Sequence, residues 1–98
     1  MRLETHEIAA IKAATRLTFG PDAVVRVFGS RAFDDRRGGD IDLHVEHGSD
    51  IDMWRVKDDF LDRLFARIDA QRVDLIATKR GAEPTPIEAV AYRDGVIL

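Results

Sequence analysis

Two carboxylates separated by one apolar residue, Asp40 and Asp42, are the side chains of this sequence best suited to chemistry. They flank Ile41 at the start of a predicted strand, and because side chains alternate along a strand, both carboxylates point to the same face. Carboxylates about 5 Å apart repel by roughly 3 kcal/mol at an effective dielectric of about 20, and a divalent cation removes that repulsion. The spacing predicts a Mg²⁺ site, since Mg²⁺ prefers oxygen ligands and keeps positions for water and substrate phosphate.

A candidate phosphate site precedes the carboxylates, at Gly29, Ser30 and Arg31. Gly29 has no Cβ to hold a phosphate away from the backbone, and Ser30 offers a hydroxyl at a predicted helix start, where free N–H groups favour an anion. The planar guanidinium of Arg31 matches phosphate oxygens. Together these residues predict contacts to the β and γ phosphates of a nucleoside triphosphate.

A third carboxylate, Asp74, interrupts the apolar run of residues 73–76. If the strand that contains it lies beside the strand of Asp42, the two carboxylates meet, and Asp74 could bind metal and take the proton of an acceptor hydroxyl. The simpler alternatives are a turn at Gly29 and Ser30, a solvated strand face at Asp40 and Asp42, and at Asp74 an edge-strand charge that opposes aggregation.

Segments with the hydrophobic periodicity of helices alternate along the sequence with segments that have the periodicity of strands. These elements must position the candidate residues. Helices are predicted over about 5–18, 51–69 and 87–92, with a short helix over 31–33 capped by Ser30. Strands are predicted over 24–28, 41–45 and 72–77, with a further strand after Asp94 and Gly95. We therefore expect an α/β (α+β) protein with a small mixed sheet flanked by helices.

Several other residues have plainer predicted roles. Leu17 and Trp54 fall on the apolar stripes of the first two long helices, which places Leu17 in the core and Trp54 in the core or an interface. His44 is predicted to be a solvated strand histidine, and residues 34–39 are predicted to form a mobile loop.

Composition sets the broad class. The chain has 98 residues, of which 45% are hydrophobic and 34% charged, which fits one globular domain over residues 1–98. The net charge of −3 gives no electrostatic footprint for nucleic acid. There is no cysteine, which excludes disulfides and thiolate metal sites, and no apolar run approaches the roughly 18 residues of a membrane span. A cytoplasmic location is therefore expected.

The run from Gly29 through Ala32, followed by the run from Asp40 through Leu43, resembles the signature of the DNA polymerase β-like nucleotidyltransferases. The chain length resembles their minimal nucleotidyltransferase branch. The resemblance implies the polymerase β-like fold, with nucleotide phosphate on Gly29 and Ser30 and two Mg²⁺ ions on Asp40 and Asp42. It also implies that Asp74 completes the triad, and that ATP or another nucleoside triphosphate is the substrate.

The acceptor of the transferred nucleotide is not indicated by these motifs. The resemblance implies an antitoxin whose partner is a HEPN-domain ribonuclease toxin, blocked by adenylylation of a toxin tyrosine, by direct binding, or by both. Two alternatives are an aminoglycoside-type nucleotidyltransferase that shares its acceptor pocket with a second copy, and a non-catalytic module that only sequesters its partner. The intact carboxylates Asp40, Asp42 and Asp74 disfavour the last alternative.

Overall fold

The computed structural model describes residues 1–32 and 39–98. Its helices are α1 (Thr5–Phe19), α2 (Met53–Phe65) and α3 (Pro86–Asp94), with a 3₁₀ turn over Gly29–Ala32. Its strands are β1 (Val24–Phe28), β2 (Ile41–His47), β3 (Val73–Lys79) and β4 (Val96–Ile97). The predicted alternation of helices and strands is confirmed, including the strand after Asp94 and Gly95.

The described strands form one mixed sheet in the order β3-β2-β1-β4. β1 runs antiparallel to both β2 and β4, whereas β2 and β3 are parallel. A parallel pair needs a crossover connection, and α2 supplies it between β2 and β3. The expected α+β class, a small mixed sheet with helices, is therefore confirmed.

The hydrophobic core lies between α1, α2 and one face of the sheet. Ile41 and Leu43 of β2 are fully buried there, as their alternation with polar residues predicted. α1 contributes Ile11 and α2 contributes Phe60, and both are also fully buried. Each such side chain stabilises the fold by about 1.5–3 kcal/mol. Because Ile41 and Leu43 point into this core, the intervening Asp42 points to the opposite face of the sheet.

Helix α3 covers that opposite face. Its Tyr92 ring contacts the His44 ring of β2 edge to face at 4.7 Å, and the Arg26 guanidinium of β1 lies over Tyr92 at 4.8 Å. The sheet is therefore packed between α1 and α2 on one side and α3 on the other.

The expected core positions of Leu17 and Trp54 are wrong, whereas an interface at Trp54 stays a prediction. Leu17 is 64% exposed, because the buried stripe of α1 ends with Phe19, which packs on the Phe60 ring at 6.2 Å. Trp54 is 90% exposed rather than in the core, because Phe60 and Leu64 are the buried residues of α2.

The predicted mobile loop lies mostly outside the described residues, and so does Phe33, the predicted end of the short helix. Among the helices within residues 1–32 and 39–98, none has the length and apolarity needed to cross a bilayer.

Candidate active site

A row of three paired residues crosses the sheet on the face that α3 covers. Phe28 of β1 pairs with Asp42 of β2, and Asp42 pairs with Asp74 of β3. Side chains of paired residues point to the same side of a sheet, so Asp42 and Asp74 are neighbours. The condition set from the sequence, that the strand of Asp74 lies beside the strand of Asp42, is met.

The electrostatics of Asp42 reflect its position beside Asp74. The pKa of Asp42 is raised, first by partial burial and then by the charge of Asp74 and a side-chain hydrogen bond with it. The charge of Asp40 raises the pKa further by a smaller amount, and the charge of Arg72 opposes the shift. The closest electrostatic partner of Asp42 is therefore Asp74, whereas the sequence emphasised Asp40.

Asp40 turns toward a cation outside this row. Its Oδ2 lies 3.5 Å from Nε of Arg72, and the pair stands in solvent at the start of β2 and β3. The Ile41 N–H donates to the Arg72 carbonyl at 3.1 Å, which fixes the two segments side by side. Asp40 is thus near the Asp42 and Asp74 pair without facing it directly.

Gly29 lies against the paired carboxylates in a backbone conformation that favours glycine, with φ +67°. A Cβ at Gly29 would overlap Oδ2 of Asp42 and lie 3.2 Å from its Cγ. The missing side chain therefore makes room for a carboxylate, in addition to the predicted role of admitting a phosphate. Ser30 lies inside the 3₁₀ turn that begins at Gly29, rather than before it as a cap.

Arg31 is held away from the carboxylates. Its Nη1 donates to the Arg2 carbonyl at 2.9 Å, and its Nη2 donates to the Gly39 carbonyl at 3.0 Å and to Oε1 of Gln71 at 3.3 Å. These contacts tie the N-terminal segment to the chain on either side of β2. A phosphate contact from Arg31 stays a prediction.

A cavity of about 510 Å³ opens between the sheet and α3, a size typical of small-molecule sites. It is lined by Phe28, Gly29, Asp42, Asp74 and Ile76 from the sheet side, and by Ile87, Val90 and Asp94 from α3. The structure therefore brings Gly29, Asp42 and Asp74 together at one cavity, and it leaves Ser30, Arg31 and Asp40 beside it.

The contribution of α3 to this cavity was missed by sequence reasoning. Ile87, Val90 and Asp94 recur every three or four residues, which is the spacing of one helix stripe. That stripe was readable as a helix face, but nothing in the sequence indicated that it faces the carboxylates.

His44, two residues after Asp42, is fully buried and not solvated as predicted. Its Nε2 lies 2.9 Å from Oγ1 of Thr78, and that hydroxyl donates to Oε1 of Glu88 at 2.7 Å. Because the Thr78 proton is given to Glu88, the His44 Nε2 is the donor to Thr78. Burial, and then the charge of Arg26, lower the pKa of His44 and keep the ring neutral. The prediction failed because α3 covers β2 at this point.

The carboxylate oxygens of Asp40, Asp42 and Asp74 are ligands that a hard cation such as Mg²⁺ prefers, although the three side chains do not converge on one point. Within residues 1–32 and 39–98, no three His, Cys, Asp or Glu side chains are arranged to hold a metal ion. Burial, and then the charge of Asp74, raise the pKa of Asp42, and a cation bound there would relieve the repulsion between the two carboxylates. Asp40 would have to leave Arg72 to join Asp42 and Asp74 on a shared ion.

The site thus combines paired carboxylates, a close glycine turn and a cavity of ligand size. Such an arrangement can bind a metal–phosphate group and accept a proton from a hydroxyl held beside it. The sequence matches no protein-family model and no curated protein significantly, so a functional assignment depends on this geometry and on the motifs.

Proposed function

We propose that this protein is a Mg²⁺-dependent nucleotidyltransferase that moves AMP, or another nucleoside monophosphate, from a triphosphate to a hydroxyl. The observation that carries the proposal is the pairing of Asp42 with Asp74 at a cavity bounded by Gly29. A carboxylate pair with a purely structural role does not need an open cavity beside it. The raised pKa of Asp42 shows that its charged form is disfavoured there, which is typical of functional sites.

The reaction joins the acceptor oxygen to the α phosphorus and breaks the bond from that phosphorus to the bridging oxygen. Pyrophosphate leaves with the electron pair, and the hydroxyl proton passes to a carboxylate. We assign the proton to Asp74, because Asp74 is the more exposed of the pair and lies where an acceptor can approach. Asp42, which is partly buried against Gly29, is the fixed member that orients the phosphate end.

Asp40, Asp42 and Asp74 would hold the metal. When bound, Mg²⁺ neutralises phosphate charge and makes the acceptor hydroxyl more acidic. The exposed ion pair between Asp40 and Arg72 is of a kind that contributes little stability, so its loss would oppose metal binding only slightly.

The acceptor that we propose is a tyrosine of a HEPN-domain ribonuclease toxin, with this chain as the antitoxin. This part of the proposal rests on the motif resemblance of Gly29, Ser30, Asp40 and Asp42. A nucleotide on a toxin side chain would add negative charge and bulk there, which is a direct way to block an RNA-binding surface.

The test is transfer of label from α-labelled ATP in the presence of Mg²⁺, with the co-expressed toxin and an aminoglycoside as competing acceptors. Label on the toxin supports the proposal, and label on the aminoglycoside supports the small-molecule alternative. Tight binding to the toxin without transfer would leave a sequestering module instead.

We expect Asp42→Asn to abolish transfer while the metal-free protein stays folded and equally or slightly more stable, because the substitution removes repulsion from Asp74. Asp59→Asn is the matched control, since Asp59 is an exposed carboxylate of α2, which packs on the sheet face opposite the cavity. Transfer that persists unchanged in Asp42→Asn would overturn the proposed metal site. Urea unfolding without metal distinguishes lost chemistry from lost structure.

A further inference from the structure

Beside its carboxylates, the cavity is lined by a group of three aliphatic residues. Ile76 of β3 and Ile87 and Val90 of α3 form it, and we call these three residues the apolar wall. Ile87 is 52% exposed even though it borders the cavity. When a ligand covers an apolar side chain that is exposed at a cavity, the burial of its surface favours binding.

Helix α3 is held in place by hydrogen bonds from a neighbouring stripe. Glu88 accepts from the Thr78 hydroxyl at 2.7 Å, and one turn later the Tyr92 hydroxyl donates to Oε2 of Glu46 at 2.7 Å. Residues four apart lie above one another on a helix, so these two bonds fix the rotation of α3 about its axis. With that rotation set, Ile87 and Val90 face the cavity.

The C-terminal end of α3 is also fixed. A Cβ at Gly95 would overlap the Ala91 carbonyl and lie 3.2 Å from Cβ of Arg26, so the chain leaves the helix in close contact with β1. The apolar wall is therefore preformed, which reduces the ordering cost of binding a ligand.

Among the residues that the structure describes, the lining side chains offer carboxylate acceptors and no amide, hydroxyl or cationic donor. They are aromatic, aliphatic or carboxylate, with one glycine. Asp94, the carboxylate nearest the wall along α3, already accepts from Arg93 through Nε at 3.0 Å and Nη2 at 2.9 Å. A group seated on the apolar wall would therefore be bound mainly by contact area and shape.

We propose that the apolar wall binds the nucleobase of the triphosphate and accepts different bases with similar affinity. The inference rests on the proposed function and extends it to substrate selectivity. Charge complementarity selects the occupant: the carboxylates suit a metal-bound polyphosphate, and the apolar wall suits a neutral planar ring. A nucleoside triphosphate carries both groups on one molecule, whereas an aminoglycoside is polycationic and hydroxylated and does not match the wall.

The test compares ATP with inorganic tripolyphosphate by calorimetry, each with Mg²⁺ and without an acceptor. In the wild-type protein we expect ATP to bind more tightly than tripolyphosphate, because only ATP can cover the wall. Ile87→Ala should weaken ATP binding roughly tenfold and leave tripolyphosphate binding unchanged. Ile97→Ala is the matched control, since Ile97 on β4 is 61% exposed and does not line the cavity.

GTP, CTP and UTP should bind the wild-type protein within about tenfold of ATP.

The outcomes separate the inference from the proposed function. Equal binding of ATP and tripolyphosphate, an unchanged ratio in Ile87→Ala, or a hundredfold preference for one base would overturn the inference alone. Absence of binding of either polyphosphate to the wild-type protein would overturn the proposed function and the inference with it. Because Ile87 is about half exposed, its truncation leaves the core intact, and circular dichroism of the variant checks this.

Discussion

Gly29 is the single residue whose replacement is expected to affect both the fold and the site. Its φ of +67° is strained for any residue with a Cβ, and a Cβ would also meet the Asp42 carboxylate. Gly81 has a similar φ of +86° with nothing within 4 Å of a Cβ, so it isolates the backbone cost.

We expect Gly81→Ala to lower the free energy of unfolding by about 1 kcal/mol, from backbone strain alone. Gly29→Ala should cost about 1–3 kcal/mol more, from the steric overlap. Urea unfolding of both variants measures the difference. The excess should largely disappear when Asp42 is also changed to Ala, and a persistent excess in that double variant would contradict the steric explanation.

Which residues approach the cavity could be predicted from the sequence only in part. Gly29, Asp42 and Asp74 were found because strand alternation and strand adjacency decide their positions. The directions taken by Arg31 and Asp40 were not predictable, because the nearest suitable partners decide them. These are the Arg2 carbonyl for Arg31 and the Arg72 guanidinium for Asp40, and both partners are remote in sequence.

At the scale of elements, the contact between α3 and β2 links stability to pH through Tyr92 and Glu46. The hydrogen bond from Tyr92 lowers the pKa of Glu46, with help from the charges of Arg26 and Arg80. Burial, and then the bond to Glu46, raise the pKa of Tyr92. Glu46 therefore contributes stability above its unfolded pKa of about 4.3, and Tyr92 contributes it below about 10.

We expect Tyr92→Phe to lower the free energy of unfolding by about 1–2 kcal/mol at pH 7. The loss should shrink at acid pH, as the pH falls through the lowered pKa of Glu46 in the folded protein, and again at alkaline pH, as it rises through the raised pKa of Tyr92. Urea unfolding across this range measures both limits. In a Glu46→Gln background the acid-side dependence should vanish, and its persistence would assign the titration to another group.

The elements themselves were predicted well, because hydrophobic periodicity sets helix and strand independently of their surroundings. The errors at Leu17 and Trp54 have a common cause. A stripe of apolar residues shows that a helix has an inner face but does not show where along its length the helix meets its neighbours. Phe19 and Phe60, which touch each other, mark that contact between α1 and α2.

At the scale of the whole molecule, the cavity is the feature that the sequence could not reveal. It exists because α3 returns over the sheet face opposite α1 and α2, which is the face that carries Asp42 and Asp74. The same return buries His44 and joins it to Thr78 and Glu88. Local patterns carry no information about that return, so a solvated histidine was the natural expectation.

Metal binding should be visible as stabilisation of the whole protein. A ligand that binds only the folded state raises the free energy of unfolding by RT ln(1 + [L]/Kd), about 1.4 kcal/mol at ten times Kd. For a domain of this length that corresponds to a rise in Tm of roughly 5–10 °C. We expect Mg²⁺ to produce this rise in the wild-type protein and not in Asp42→Asn, because the variant lacks one member of the carboxylate pair.

The Tm of the metal-free variant should equal or exceed that of the metal-free wild type, since the substitution removes a partly buried charge and its repulsion with Asp74, the two largest causes of the raised pKa of Asp42. NaCl at matched ionic strength is the control for general screening of a chain with a net charge of −3. As Mg²⁺ is added, the Tm of the wild type should therefore rise above that of the variant. Parallel curves would mean that the cation acts on the overall charge and not on the paired carboxylates.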